Sequence, residues 1–180
     1  RRQRQMCIRD REIIDPENLA MPSCTQRDWD IIMRILKGKV TRLGKVAKLS
    51  QGEVNETTCR EFLSTEDVHP LVLRGASISL YAVREASQGT PWRLNVRGFL
   101  KKKSKDSKAW DHTRLRIGLQ RKAPQNNFRR LIAAPIAKGE FCFDSVSYVT
   151  QDDTSMDLDL LLAIVNSKLL DWYFRIVSTN

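Results

Sequence analysis

The closing stretch of the chain sets the first constraint. Leu158, Leu161, Leu162, Val165, Leu169, Trp172 and Tyr173 recur at helical spacing and form one apolar stripe. Asp157 and Asp159 stand where carboxylates complement the positive end of a helix dipole. Asn166-Ser167 predicts a break or kink inside the helical segment. A stripe this apolar has to be covered, and the upstream sequence offers strands to cover it. The longest apolar run, Leu160 to Val165, is far shorter than the ~20 residues a bilayer requires. No secretory signal is visible. No membrane partner is expected.

The strand candidates follow period two. Arg114 to Gln120 alternates, which predicts Leu115, Ile117 and Leu119 inward with Arg114 and Arg116 outward. Arg130 to Ile136 and Glu140 to Val149 read as two more strands. Trp92 to Leu100 reads as a strand with one polar face. Leu43 to Leu49 reads as a half-buried strand ending at Gly52, and Leu71 to Leu73 and Ile78 to Val83 as shorter ones. Residues 53–68 resist assignment. Ahead of these, Thr25 and Asp28 form a shortened capping box for a helix carrying Trp29, Ile32, Met33 and Leu36 on one side, with Gly38 as its stop. The pattern predicts an α/β (α+β) chain: an irregular, mostly antiparallel sheet of about six to eight strands flanked by helices. It divides into residues 1–11, a linker and short helix over 12–39, and a main domain over 40–180.

Residues 1–11 do not read as the start of a domain. Met6 to Arg11 matches the translation of a transposon end used in library preparation, which makes the stretch a non-native arm; a natural basic arm is the alternative. The net charge of the whole chain is +10. Without the five arginines and one aspartate of residues 1–11 it falls to +6, still basic. An excess of this sign points to a polyanionic partner. The four cysteines, Cys7, Cys24, Cys59 and Cys142, are scattered without a C-x-x-C pair. That spacing offers no zinc site and predicts buried thiols in a reduced, cytoplasmic protein.

Catalytic signatures are missing. No two glycines stand two apart, so no nucleotide-cofactor fingerprint is present. Gly38 and Gly44-Lys45 imitate a phosphate loop, but the spacing is one residue too long and Val46 stands where Ser or Thr would bind magnesium. The chain has no Glu-x-Lys, no Pro-Pro and only two histidines. No catalytic centre, metal or cofactor is expected within these residues, and function is expected to be binding.

Two stretches carry binding chemistry. Lys101, Lys102, Lys103, Lys105 and Lys108 form a run of five lysines around one acid, Asp106. They are candidate phosphate contacts, with a solvated hairpin tip as the alternative. Arg121 and Lys122 extend that set. The loop that follows brings Gln125, Asn126, Asn127, Arg129 and Arg130 together. Amides suit adenine edges and guanidiniums suit guanine edges, so the loop is a candidate base reader; a polar surface loop is the alternative. Arg129 could equally hold a phosphate. Gln51 and Asn55, beside Gly52, are a second candidate reading site. Asn166 reads as a structural cap, and Trp172, Tyr173 and Phe174 as core.

Three stretches also resemble a known family. They are Leu43 to Gly52, with a strand ending in glycine; His69 to Ile78, containing Leu73-Arg74-Gly75 ahead of Tyr81; and Leu160 to Phe174, with Leu-Asn-Ser-Lys-Leu-like chemistry in Val165-Asn166-Ser167-Lys168-Leu169 followed by aromatics. Together they resemble the C-terminal target-recognition domain of Taq-type adenine-specific DNA methyltransferases, which also occurs in fused restriction-modification enzymes. The resemblance spans about residues 40–180. It implies double-stranded DNA as partner, together with the catalytic methyltransferase domain of the same parent chain. It implies S-adenosylmethionine in that catalytic domain and none here. The family's catalytic glycine loop, its Asn-Pro-Pro-Tyr site and its closing motif are not in the sequence, which implies a piece of a longer protein. A specificity subunit of a multi-subunit restriction system would need long heptad helices, and none is visible. An RNA-binding module would need an RNP-like aromatic strand, which is also missing.

Overall fold

The computed structural model describes residues 24–84, 89–101, 103–124 and 126–178. The expectations for residues 1–11 and for the linker up to residue 23 lie outside the described residues, as do Lys102 and Gln125. In chain order the elements are α1 (Gln26–Leu36), α2 (Leu43–Val46), β1 (Ser50–Gln51), β2 (Leu63–Ser64), β3 (Val72–Leu73), β4 (Ile78–Ser79), β5 (Ala82–Val83), β6 (Arg93–Leu94), α3 (Val96–Leu100), β7 (Arg116–Gln120), β8 (Ala133–Ile136), β9 (Phe141–Cys142), β10 (Val146–Thr150), α4 (Leu158–Val165) and α5 (Lys168–Val177). Short 3-10 turns join several of them.

The centre is a four-stranded antiparallel sheet in the order β1-β10-β7-β8. Pro135 lies in β8, an edge strand, where a missing N–H costs nothing. Three two-stranded pairs surround the sheet: β2 with β6 and β4 with β5 antiparallel, β3 with β9 parallel. Mixed α and β with mainly antiparallel pairing is the expected class. The strands are shorter and more numerous than the sequence suggests.

Both faces of the sheet are buried. On one, Ile117, Leu119, Ala133 and Val149 pack against Leu158, Leu161, Leu162 and Val165 of α4. On the other, Ala134, Ile136 and Val146 meet Leu73, Ile78 and Cys142. Burying each large aliphatic side chain contributes about 1.5–3 kcal/mol, so the two faces of the sheet supply much of the fold's apolar stabilisation. A further cluster gathers Val54, Leu94, Phe99, Phe141 and Phe143. The helix predicted from Thr25 forms as α1, with the reciprocal capping box in place, and packs Trp29 and Ile32 on Ile176 of α5. Asn166-Ser167 does break the closing segment, and Ser167 caps α5 through a 3.1 Å bond from the Leu170 amide.

Four expectations need correction. Arg116 is not on a polar outer face: it is 1% exposed, because the second layer covers that side of β7, while Leu115 is 57% exposed just ahead of the strand. Trp92 to Leu100 is not one strand. The Asn95 side chain accepts the Gly98 amide at 3.0 Å and starts α3, so a cap overrides the alternation. Leu43 to Val46 is a helical turn ahead of β1 rather than a strand. Glu140 to Val149 is split into β9 and β10 by a turn at Asp144 and Ser145.

Candidate nucleic-acid interface

Arg116 cannot be buried alone. Its guanidinium pairs with Glu53 at 2.6 Å, donates to the Glu140 carbonyl and lies 4.7 Å from the Tyr148 ring centroid. The other Glu53 oxygen accepts the Cys142 amide at 3.2 Å. Burial pushes the Glu53 carboxyl up from its ordinary value and the Arg116 charge opposes that push. Burial also raises the Tyr148 hydroxyl, which donates to Asp111 at 2.7 Å. This network fixes β1, β7, β9 and β10 relative to one another. It therefore also fixes the turn between β9 and β10.

That turn is a meeting point. The Asp144 amide donates to the Val54 carbonyl at 2.9 Å. The Asp144 carbonyl accepts from the Gln51 amide at 3.3 Å and from the Arg121 guanidinium at 3.2 Å. Its carboxylate accepts from the Asn55 amide at 3.0 Å. Lys108 Nζ donates to the Gln51 and Gly52 carbonyls at 3.3 and 3.4 Å. Gln51, Lys108 and Arg121 are exposed, and Asn55 and Asp144 are half-buried. Thus residues from two separate sequence candidates, the phosphate-contact set and the second reading site, meet around one turn. Asp144 itself carried no sequence signal.

Asn55 is more positioning than reading. Its side-chain oxygen accepts the Thr57 and Thr58 amides at 3.0 Å each while its nitrogen holds Asp144. The amide is largely spent on its own turn and on that carboxylate.

The lysine stretch is not a hairpin tip. It links α3 to a 3-10 turn at Lys108–Thr113 and is tied by the Ser107 hydroxyl to the Ser104 carbonyl at 2.7 Å. Lys101, Lys103 and Lys105 are exposed, and Lys103 Nζ lies 5.3 Å from the Phe99 ring centroid.

The loop after Arg121 differs from expectation. Arg129 and Arg130 are 8% and 9% exposed. Arg129 donates to the Asn166 and Ser167 carbonyls at 2.6 and 2.9 Å. Arg130 lies 5.5 Å from the Phe174 ring centroid and donates to the Ser178 hydroxyl at 3.3 Å. Arg129 is committed to the α4–α5 elbow and Arg130 to the C-terminal end of α5, so neither is placed to read a base or hold a phosphate. For Arg129 the physical reason is the elbow: a helix break leaves carbonyls without partners, and a guanidinium satisfies two at once. Asn166 fills its expected structural role by exchanging two 2.9 Å bonds with the Ala133 backbone. Asp171 accepts the Arg130 and Leu131 amides at 2.7 and 2.8 Å and pairs with Arg175 at 3.1 Å. Burial alone would raise its carboxyl, but the two amide bonds and Arg175 outweigh it and hold it below the ordinary value. Lys122 and Asn126 stay exposed, and Asn127 is half-buried.

Among the described residues no group of His, Cys, Asp and Glu is arranged to hold a metal. Cys59 and Cys142 are buried, as small apolar side chains are. No helix among them is long and apolar enough to cross a membrane. No protein-family model matches the chain, and no curated protein matches it.

Proposed function

We propose that this chain recognises duplex DNA as the target-recognition part of an adenine-specific DNA methyltransferase or of a fused restriction-modification enzyme. The observation that carries the reading is the convergence at Asp144. An amide (Gln51) and two cations (Lys108 and Arg121) stand exposed around one rigid turn, with the lysine-rich stretch leading directly into Lys108. Such an interface needs cations to fix register on phosphates and amide or guanidinium groups for base edges. In this arrangement Lys101, Lys103, Lys105, Lys108 and Lys122 hold the backbone. Gln51 and Arg121, the latter read from sequence as a phosphate contact, are the base-edge candidates at this turn, and Asn126 and Asn127 of the following loop are further candidates. Arg129, Arg130 and Asn55 support the scaffold. Methyl transfer and S-adenosylmethionine belong to the catalytic domain of the parent chain.

Replacing Lys101, Lys103 and Lys105 together by Ala should weaken binding to all duplex sequences about equally. It should also flatten the slope of log affinity against log salt by about 0.9 for each phosphate that the variant no longer neutralises. A salt titration by fluorescence anisotropy reads both. An unchanged slope would show that the lysines face only solvent.

A further inference from the structure

Phe128 is 92% exposed, an unusual position for a phenyl ring. It is not on a loose tip. Arg175 Nη2 donates to the Asn127 and Phe128 carbonyls at 2.7 and 2.8 Å, and Arg129, the next residue, is anchored at the α4–α5 elbow. One guanidinium thus grips the backbone at the ring, and the side chain of the next residue ties the loop to the elbow. The backbone that presents the ring has already lost much of the freedom that binding would otherwise cost it.

The surroundings say what it meets. Beside the ring lies a shallow groove of about 220 Å³, lined by Phe128, Arg129, Lys168, Asp171, Trp172 and Arg175. Arg121 and Lys122 stand exposed in the same loop. The groove's carboxylate, Asp171, is already taken by Arg175 and two backbone amides. The groove therefore offers two aromatic surfaces, Phe128 and Trp172, with Lys168 exposed beside them and Lys122 exposed earlier in the loop. A protein pocket would satisfy the ring but leave the cations facing apolar surface. A base step flanked by phosphates satisfies both. Apolar wedges of this kind part stacked bases and bend the duplex.

We propose that Phe128 enters a base-pair step of duplex DNA as a wedge, with Lys122 and Lys168 on the flanking phosphates. The proposal rests on the DNA-binding reading above and adds a deformation to it.

The test uses the 180-residue chain and a duplex it selects from a random library, with 2-aminopurine placed at successive steps. Binding should raise the fluorescence several-fold at one step. Phe128→Ala should abolish that rise and weaken binding about tenfold, leaving the melting temperature unchanged. Phe128→Trp should restore the rise. Binding with no rise, or a rise that survives Phe128→Ala, would overturn the wedge and leave DNA recognition standing. Failure of the parent chain to bind any duplex would overturn both. A concentration-dependent dimer in sedimentation without DNA, abolished by Phe128→Ala, would instead assign the ring to a protein contact and overturn the wedge.

Discussion

Replacing Glu53 by Ala is expected to cost about 3–5 kcal/mol of folding stability, enough to unfold a marginal domain. The change leaves the Arg116 guanidinium buried with its charge unpaired and takes the acceptor from the Cys142 amide. The side chains of both partners are 0% exposed, so no solvent relieves the orphaned charge. The pair itself is not the source of that stability. Removing both charges together, with Glu53→Leu and Arg116→Met, should recover most of the loss, because a well-packed apolar pair avoids the desolvation cost. Urea denaturation of the two single variants and the double variant forms the cycle. Single variants within ~1 kcal/mol of the parent would show that the pair is not sealed from water.

Gly52→Ala is the second large effect. A Cβ at this position would lie 2.0 Å from the Phe143 carbonyl oxygen and 2.7 Å from that of Cys142. These are backbone atoms of the β9–β10 connection and cannot swing aside as a side-chain end would. Either β1 leaves its place beside β10 or the Asp144 turn moves. The expected cost is at or above the upper end of ordinary overpacking, about 3 kcal/mol or more. The Gly52 amide bond to the Val146 carbonyl, 2.9 Å, would be strained with it. Gly118→Ala is the control. Its Cβ would meet the Ile136 Cδ1 at 2.3 Å, the far end of a flexible side chain, so the loss should be smaller. Denaturation midpoints that rank Gly118→Ala as the worse variant would contradict the close approach at Gly52. Gly52→Ala should also lose DNA affinity, since Gln51 and Lys108 are held by the same segment.

Local signals carried the ends of the chain. The Thr25–Asp28 box, the apolar stripe of α4 and α5 and the break at Asn166-Ser167 are all written within a few residues of where they act. Tertiary contacts hid the rest. Arg116 alternates like a surface residue, and its partner Glu53 lies 63 positions away in a stretch that gave no pattern. A hint stood beside it, since Gly118 shares its side of β7 and a side-chain-free position suggests that something presses against that face. Arg129 and Arg130 look like DNA ligands because the groups they serve, an elbow carbonyl for Arg129 and the Ser178 hydroxyl for Arg130, are 37 and 48 positions downstream. The Asp144 convergence joins residues up to 93 positions apart, which no local pattern encodes. Phe128 did leave a trace, as the one aromatic in the polar stretch from Arg121 to Arg130.

If the face around Asp144 reads a DNA sequence as proposed, competition binding at physiological salt will show it. The chain, with a duplex selected from a random library, is challenged with a scrambled duplex of the same length. A preference of about 10³-fold or more for the selected duplex is expected. Gln51→Ala and Arg121→Ala should each lose about 1–3 kcal/mol on the selected duplex and little on the scrambled one. Equal affinity for the two duplexes, or variants that weaken both alike, would contradict it.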